Sequence, residues 1–271
     1  MFLKIIDSHT HFFPDKVART AIPRMEETSG CKAYTDGTAA GLLDSMDAVG
    51  IESSVVLPVV TNPEKVSSVN RFSASAARSM RRLCIMGALH PAAAAWPGHL
   101  EELLDLGFTG VKLHPDYQEF SPDDPRLLPF FSGLRDAGLL VFFHAGEDLS
   151  YEPPCKGTPA SLATLLGNLP GLRIVAAHMG GYRSWDEVDR CLVGRENVYM
   201  DTSFSFREMS DSRIRSMIER HGTDNVLFGT DSPWLDQSQE VENVLRLGLG
   251  SDVEEKVLYS NALRLIPRLA G

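Results

Sequence analysis

The chain alternates short apolar segments with amphipathic ones along most of its length. Several apolar segments, such as residues 139–143, carry no polar side chain, which is typical of parallel strands that are buried on both faces. Eight segments rich in β-branched and aromatic residues predict β-strands, at residues 3–9, 53–59, 84–89, 108–114, 139–144, 172–178, 196–202 and 225–231. The pattern predicts an α/β fold built on a parallel sheet.

The segments between these strands have the apolar period of amphipathic helices. Gly50, Gly107 and Gly138 follow three of them, and glycine commonly ends a helix. A last helix is predicted at residues 253–266, and long loops at residues 12–36 and 146–154. The other helices are predicted at residues 39–49, 66–82, 98–106, 127–137, 159–169, 185–192, 211–220 and 239–247.

Strands that alternate with helices in this number predict a single-domain (β/α)8 TIM barrel. Such barrels take about 250 residues, and this chain has 271. We expect one domain over residues 1–271, because no linker or internal repeat divides the sequence. An open, doubly wound sheet would show the same alternation and is the alternative.

Composition narrows the range of partners. The formal charge of −10 and the pI near 5.3 argue against nucleic acid. No segment approaches the roughly 20 apolar residues of a membrane helix, and the N-terminus does not resemble a signal peptide. We therefore expect a cytoplasmic protein with four reduced cysteines, no membrane partner and a small-molecule substrate. Assembly into a homo-oligomer is left open.

The chemistry-bearing residues close the predicted strands. In a TIM barrel the active site lies at the C-terminal ends of the strands. His9 and His11 end the first strand and share a face, because side chains alternate along a strand. Imidazole and carboxylate groups bind divalent metal ions such as zinc. The sequence therefore predicts a metal site among the residues at the strand ends, which also include Lys112, His114, His144, His178 and Asp231.

The order of these residues resembles a known superfamily. His-x-His on strand one, His on strands five and six, and Asp on strand eight resemble the amidohydrolase superfamily. Within it, the chain is similar to the amidohydrolase-related group of metal-dependent hydrolases and decarboxylases. The resemblance spans essentially the whole chain and is specific for the superfamily rather than for a substrate. The matching segments are residues 6–11, 110–115, 177–181, 228–233 and 259–265.

The resemblance implies a ligand set and two catalytic residues. One divalent ion, with Zn²⁺ favoured, is expected on His9, His11, His144 and Asp231. Such an ion lowers the pKa of a bound water to about 7. Asp231 is then expected to accept the proton of that water, and His178 to polarise the substrate carbonyl. In two-metal members the residue at the position of His178 binds the second ion instead.

Three further residues are candidates for substrate binding. Lys112 and His114 share a strand face and are expected to line the pocket. In two-metal relatives a carboxylated lysine bridges the ions, so a second ion is the alternative role for Lys112. Arg183 is expected to bind a substrate carboxylate, with a surface arginine as the alternative.

These residues favour a metal-dependent hydrolase that acts on an amide, ester or lactone-type bond. The alternative is a non-oxidative decarboxylase of an unsaturated or aromatic carboxylic acid. A decarboxylase should place an arginine and an aromatic wall close to the metal, and Arg183 is compatible with that. A metal-free binding protein is the third reading, which the intact set of ligand types disfavours.

Overall fold

The computed structural model describes residues 3–270, so Met1, Phe2 and Gly271 at the ends of the predicted domain lie outside the described residues. The described residues form two compact units. The first comprises residues 3–56, 82–84 and 201–270, and the second comprises residues 57–81 and 85–200.

The strands are β1 (Ile6–Thr10), β2 (Ser53–Val56), β3 (Leu83–Ile85), β4 (Gly87–Ala88), β5 (Gly110–Leu113), β6 (Leu140–Phe143), β7 (Arg173–Ala176), β8 (Val198–Asp201) and β9 (Val226–Leu227).

Helices separate the strands. None of the helices within residues 3–270 has both the length and the apolar character that crossing a membrane demands. The helices are α1 (Asp15–Ser29), α2 (Ala39–Val49), α3 (Val66–Ser79), α4 (Trp96–Asp105), α5 (Leu128–Asp136), α6 (Pro159–Asn168), α7 (Trp185–Cys191), α8 (Asp211–His221), α9 (Gln237–Arg246), α10 (Ser251–Glu255) and α11 (Asn261–Leu265).

The predicted elements agree with these bounds, with two differences in continuity. Each predicted strand segment overlaps an observed strand, and α2 has the predicted bounds. The third predicted strand is divided into β3 and β4, because β3 lies beside β2 whereas β4 lies beside β5. The predicted last helix is also divided, since a π-helical turn at Lys256–Ser260 separates α10 from α11.

The predicted loop at residues 12–36 is wrong in its middle part, where α1 lies. Ala18 and Ile22 are one helical turn apart and both are buried, which fixes one face of α1 on the protein. Gly30 ends the helix in the left-handed conformation, with a φ of 70°. Pro14, Pro23 and Gly30 favour a loop in the sequence, but Pro14 and Gly30 flank the helix and Pro23 lies inside it.

In the first unit, β1 forms backbone hydrogen bonds on both of its sides. It pairs with β2 in parallel, with Ile6 opposite Ser53. On its other side, the N–H of Ser8 donates to the carbonyl oxygen of Phe228 at 2.8 Å, and the N–H of His11 to that of Ser232 at 2.7 Å. The chain around and after β9 therefore runs beside the end of β1.

In the second unit, β4 to β8 form a parallel ladder in chain order. The strands β5 and β6 are buried at every position, as the apolar sequence of β6 predicts, and β5 also buries Lys112. Beyond the strand ends, the N–H of His144 donates to the carbonyl oxygen of Leu113, and the N–H of Ala177 to that of Phe143, each at 3.0 Å. These bonds bring the residues that follow β5, β6 and β7 to one end of the ladder.

A buried asparagine fastens α3 to β4. The side-chain amide of Asn70 donates to the carbonyl oxygen of Ala88 at 2.9 Å and accepts from the N–H of Ala88 at 2.8 Å. Asn70 is fully buried. Its side chain therefore satisfies two backbone groups that have no access to water.

We predict that Asn70→Ala lowers the free energy of unfolding by about 2–4 kcal/mol, because it leaves both groups of Ala88 buried without these partners. Asn168→Ala, at an exposed position, should change it by less than about 0.5 kcal/mol. Urea titrations followed by circular dichroism measure both values. Equal midpoints for the two variants would contradict the role of Asn70.

Candidate metal centre

Two histidines and an aspartate converge in the first unit. His9 and His11 lie at the end of β1, and Asp231 follows β9. The Oδ1 of Asp231 lies 2.9 Å from the Nε2 of His11 and 3.5 Å from the Nε2 of His9. One ligand atom from each of the three residues lies within 4.8 Å of the other two. Two imidazoles and a carboxylate are a donor set for a divalent transition metal, and this geometry fits one.

The backbone explains why these side chains meet. The N–H of Asp231 donates to the carbonyl oxygen of His9 at 2.7 Å, and Asp231 has a φ of 60°, which is uncommon for a residue other than glycine. A Cβ at Gly229 would lie 2.9 Å from the Cβ of His9 and 3.2 Å from that of Asp201. Only glycine therefore allows this close approach.

A buried carboxylate orients His9. The Nδ1 of His9 lies 2.9 Å from the Oδ2 of Asp201, and the two side chains are 1% and 0% exposed. Since a carboxylate only accepts, Nδ1 carries the proton, and the lone pair of His9 is on Nε2, which faces Asp231. The backbone N–H of Ser203 also donates to Asp201, at 3.1 Å. A carboxylate behind an imidazole is the usual partner of a histidine that binds a metal.

Neither Asp201 nor Ser203 is among the site residues predicted from the sequence. Neither belongs to a recognisable motif. The signal that was present is the polar run of residues 201–203 at the end of an apolar strand.

Asp7 joins the strands that carry the three residues. Its carboxylate accepts from the N–H groups of His9 and Thr230, at 3.2 and 3.0 Å. It also accepts from the hydroxyl of Thr230 at 2.6 Å and from the side chain of Gln237 at 2.8 Å. Burial raises the pKa of Asp7 to about 7, although these hydrogen bonds favour the ionised form. Asp7 therefore sets the spacing between β1 and the segment that leads to Asp231.

A second group of titratable residues lies in the second unit. The rings of His114 and His144 stack, with centroids 4.1 Å apart and planes 11° apart. The Nε2 of His114 lies 3.2 Å from the Oδ2 of Asp148, and the Nδ1 of His144 lies 3.1 Å from the Nε2 of His178. His114, His144 and Asp148 also offer ligand atoms within 4.8 Å of one another. Asp148, in the loop predicted at residues 146–154, is a second residue that the motifs did not reveal.

The electrostatics of this group keep the imidazole of His114 neutral. Burial, reinforced by the nearby His144, lowers the pKa of His114 well below its ordinary value. Burial opposes ionisation of Asp148, but the hydrogen bond from His114 and the charge interaction with His144 hold the pKa of Asp148 below its usual range. At neutral pH the pair is therefore a carboxylate with a neutral imidazole.

The remaining predicted substrate-binding residues also lie in the second unit. Lys112 is on β5 and is only 1% exposed, which is unusual for a lysine. Arg183 is half-exposed, and its guanidinium lies 5.0 Å from the ring centroid of Tyr182 and 3.7 Å from the carboxylate of Glu147. The role of both residues in substrate binding stays a prediction.

The chain belongs to the amidohydrolase family, since residues 6–268 match the family model described as Amidohydrolase. No protein of curated function matches it. Its membership confirms the resemblance that the strand-end residues carried. Members of this family are enzymes of the amidohydrolase superfamily, which bind a divalent metal ion.

Solved structures that are 20–21% identical share the fold. An uncharacterised TIM-barrel protein from Bordetella bronchiseptica is 21% identical, with a TM-score of 0.78 over 99% of this chain and 100% of that one. The 2,6-dihydroxybenzoate decarboxylase from Rhizobium is 20% identical, with a TM-score of 0.74 over 100% of each chain. A Pseudomonas putida protein proposed as a 2-pyrone-4,6-dicarboxylic acid hydrolase is 21% identical, with a TM-score of 0.69 over 99% of each. The predicted TIM-barrel fold is confirmed, and the open doubly wound sheet is excluded.

We predict that Asp201→Asn weakens the affinity for zinc by about 10–100-fold, because the carboxylate that orients His9 loses its charge. Competition titration with a zinc-binding dye measures the affinity. Asp252→Asn, an exposed change of the same chemistry in the same unit, should leave it unchanged. Equal zinc affinities of the two variants would contradict the orienting role of Asp201.

Proposed function

We propose that this protein is a metal-dependent hydrolase that directs an activated water onto an amide, ester or lactone-type bond of a small molecule. The observation that carries the proposal is the convergence of His9, His11 and Asp231, with Asp201 behind His9. Membership of the amidohydrolase family supports it.

The proposed ligands are His9, His11, Asp231 and His144. The first three rest on their geometry, whereas His144 is added by the order of the family motifs. Nitrogen and oxygen donors in this combination suit Zn²⁺, and also Mn²⁺ where the carboxylate dominates. When bound, the ion polarises a carbonyl and lowers the pKa of a bound water to about 7.

Asp231 is the proposed proton carrier. Its Oδ1 already contacts the Nε2 atoms of both His9 and His11, so the carboxylate is held at the place where the donor atoms converge. A carboxylate there can accept a proton from the attacking water and return it to the leaving group. His178 is proposed to hold the oxyanion as it forms. Lys112, His114 and Arg183 are proposed to bind and orient the substrate.

A decarboxylase is the second candidate, and the aromatic side chains of the second unit favour it. The ring of Tyr117 lies edge-on to that of His114 at 4.2 Å and to that of Tyr151 at 5.1 Å. With Arg183, these rings offer the aromatic and cationic groups that an aromatic carboxylate needs. The similarity of fold to the 2,6-dihydroxybenzoate decarboxylase supports the same reading. In this case the first step is proton transfer to carbon.

We predict that His11→Ala loses the metal and the activity together while the fold persists. In a protein with so large a hydrophobic core, the ion contributes little to the stability of the fold. Elemental analysis gives the metal content. Assays with ester, lactone and amide substrates, together with carbon dioxide release from aromatic acids, separate the hydrolase from the decarboxylase. His99→Ala is the control, since His99 belongs to neither group. Full activity in a metal-free, chelated preparation would contradict the proposal.

We predict that Asp231→Asn lowers kcat by about 100-fold or more at nearly unchanged metal content, because the amide keeps an oxygen ligand but cannot accept a proton. The acidic limb of the pH–rate profile should change as well. Steady-state kinetics on the metal-loaded variant, beside Asp252→Asn, measure the effect. Turnover near the wild-type rate with metal bound would remove Asp231 from proton transfer.

A further inference from the structure

Two consecutive residues of the loop at residues 146–154, named loop five here, contact two histidines that follow neighbouring strands. The carbonyl oxygen of Glu147 lies 3.1 Å from the Nε2 of His144. The Oδ2 of Asp148 lies 3.2 Å from the Nε2 of His114. Loop five therefore reaches the same nitrogen of each of the two stacked rings.

The hydrogen bonds of His114 determine its tautomer. The backbone N–H of Tyr117 donates to the Nδ1 of His114 at 3.3 Å, and an N–H group can only donate. The single ring proton of the neutral imidazole is therefore on Nε2, where it donates to Asp148. The other oxygen of Asp148 accepts from the N–H of Ser150 at 2.7 Å. Both carboxylate oxygens thus act as acceptors, as an ionised group requires.

The hydrogen bonds of His144 determine its tautomer in the same way. A carbonyl oxygen can only accept, so the Nε2 of His144 carries the proton that is donated to Glu147. In the neutral ring Nδ1 then has the lone pair, and it lies 3.1 Å from the Nε2 of His178. The flat stacking on His114 restricts rotation of the His144 ring.

The base of loop five is anchored independently of the histidines. The N–H of Glu147 donates to the carbonyl oxygen of Tyr182 at 3.0 Å, and the N–H of Gly146 to that of Gly157 at 2.8 Å. A Cβ at Gly146 would collide with the backbone of Tyr182. The N–H of Lys156 donates to the carboxylate of Asp116 at 2.8 Å. Glu147 and Asp148 are therefore presented from a fixed support.

We propose that Asp148 is a positioning residue that fixes the tautomer of His114, which stacks on His144. The carbonyl group of Glu147 fixes the tautomer of His144, so that His144 offers Nδ1 to a metal ion. Histidines that bind metals commonly donate their other N–H to a carbonyl or a carboxylate, and His144 has this arrangement. The binding of a metal by Nδ1 rests on the proposed function, whereas the tautomers rest only on the hydrogen bonds described above.

Nitrogen NMR of the metal-free protein with ¹⁵N-labelled histidine tests this at about pH 8, where free histidines are neutral. His114→Gln and His144→Gln assign the signals. In the wild type, both rings should show a protonated Nε2 and an unprotonated Nδ1. Asp148→Ala should turn His114 into a mixture of tautomers. Asp148→Asn should preserve the wild-type pattern, because its amide oxygen still accepts. Glu152→Gln, an exposed charge change in loop five, should have no effect.

A protonated Nδ1 on His114 or His144 in the wild type would overturn the proposal, as would an unchanged His114 spectrum in Asp148→Ala. If Asp148→Ala does not fold, the wild-type and Asp148→Asn spectra decide alone. A mixture of tautomers in folded Asp148→Asn would also count against it. Because no metal or substrate is present, failure of this proposal is distinct from failure of the hydrolase proposal, which metal content and turnover report.

Discussion

The hydrogen bond from the N–H of Asp231 to the carbonyl oxygen of His9 places a carboxylate beside two imidazoles, and the chemistry of the first unit depends on it. That contact requires the segment after β9 to approach the end of β1 more closely than any side chain at Gly229 would permit. It also requires the unusual backbone conformation of Asp231. Strain of this kind persists only where the surroundings enforce it, and the four hydrogen bonds to Asp7 do so here.

In both units, three buried imidazoles each have one ring nitrogen beside an oxygen atom that accepts its hydrogen bond. Asp201 stands behind His9, the carbonyl group of Glu147 behind His144, and Asp148 behind His114. The acceptor decides which ring nitrogen carries the proton and thereby which one has the lone pair. An imidazole whose second nitrogen donates its proton in this way presents the lone pair of the first nitrogen, which is the donor that a metal ion needs.

The residues that the sequence identified are those whose role follows from local position. The location of strand ends put His9, His11 and Asp231 among the candidates, and the resemblance to the amidohydrolase superfamily selected them as ligands. The three residues do converge. Asp201 and Asp148 escaped prediction because their roles depend on contacts across the fold, and an aspartate in a polar segment carries no local signal. The helix α1 was missed for a related reason: the burial of Ala18 and Ile22 against the rest of the unit outweighs the local cost of Pro23.

If His9, His11 and Asp231 hold a divalent ion, that ion can be located by anomalous diffraction from crystals of the zinc-loaded protein, measured on both sides of the zinc absorption edge. We expect a peak within about 2.0–2.2 Å of the Nε2 atoms of His9 and His11 and of a carboxylate oxygen of Asp231. A fully occupied peak remote from these three atoms, or no peak in protein saturated with zinc, would contradict this expectation.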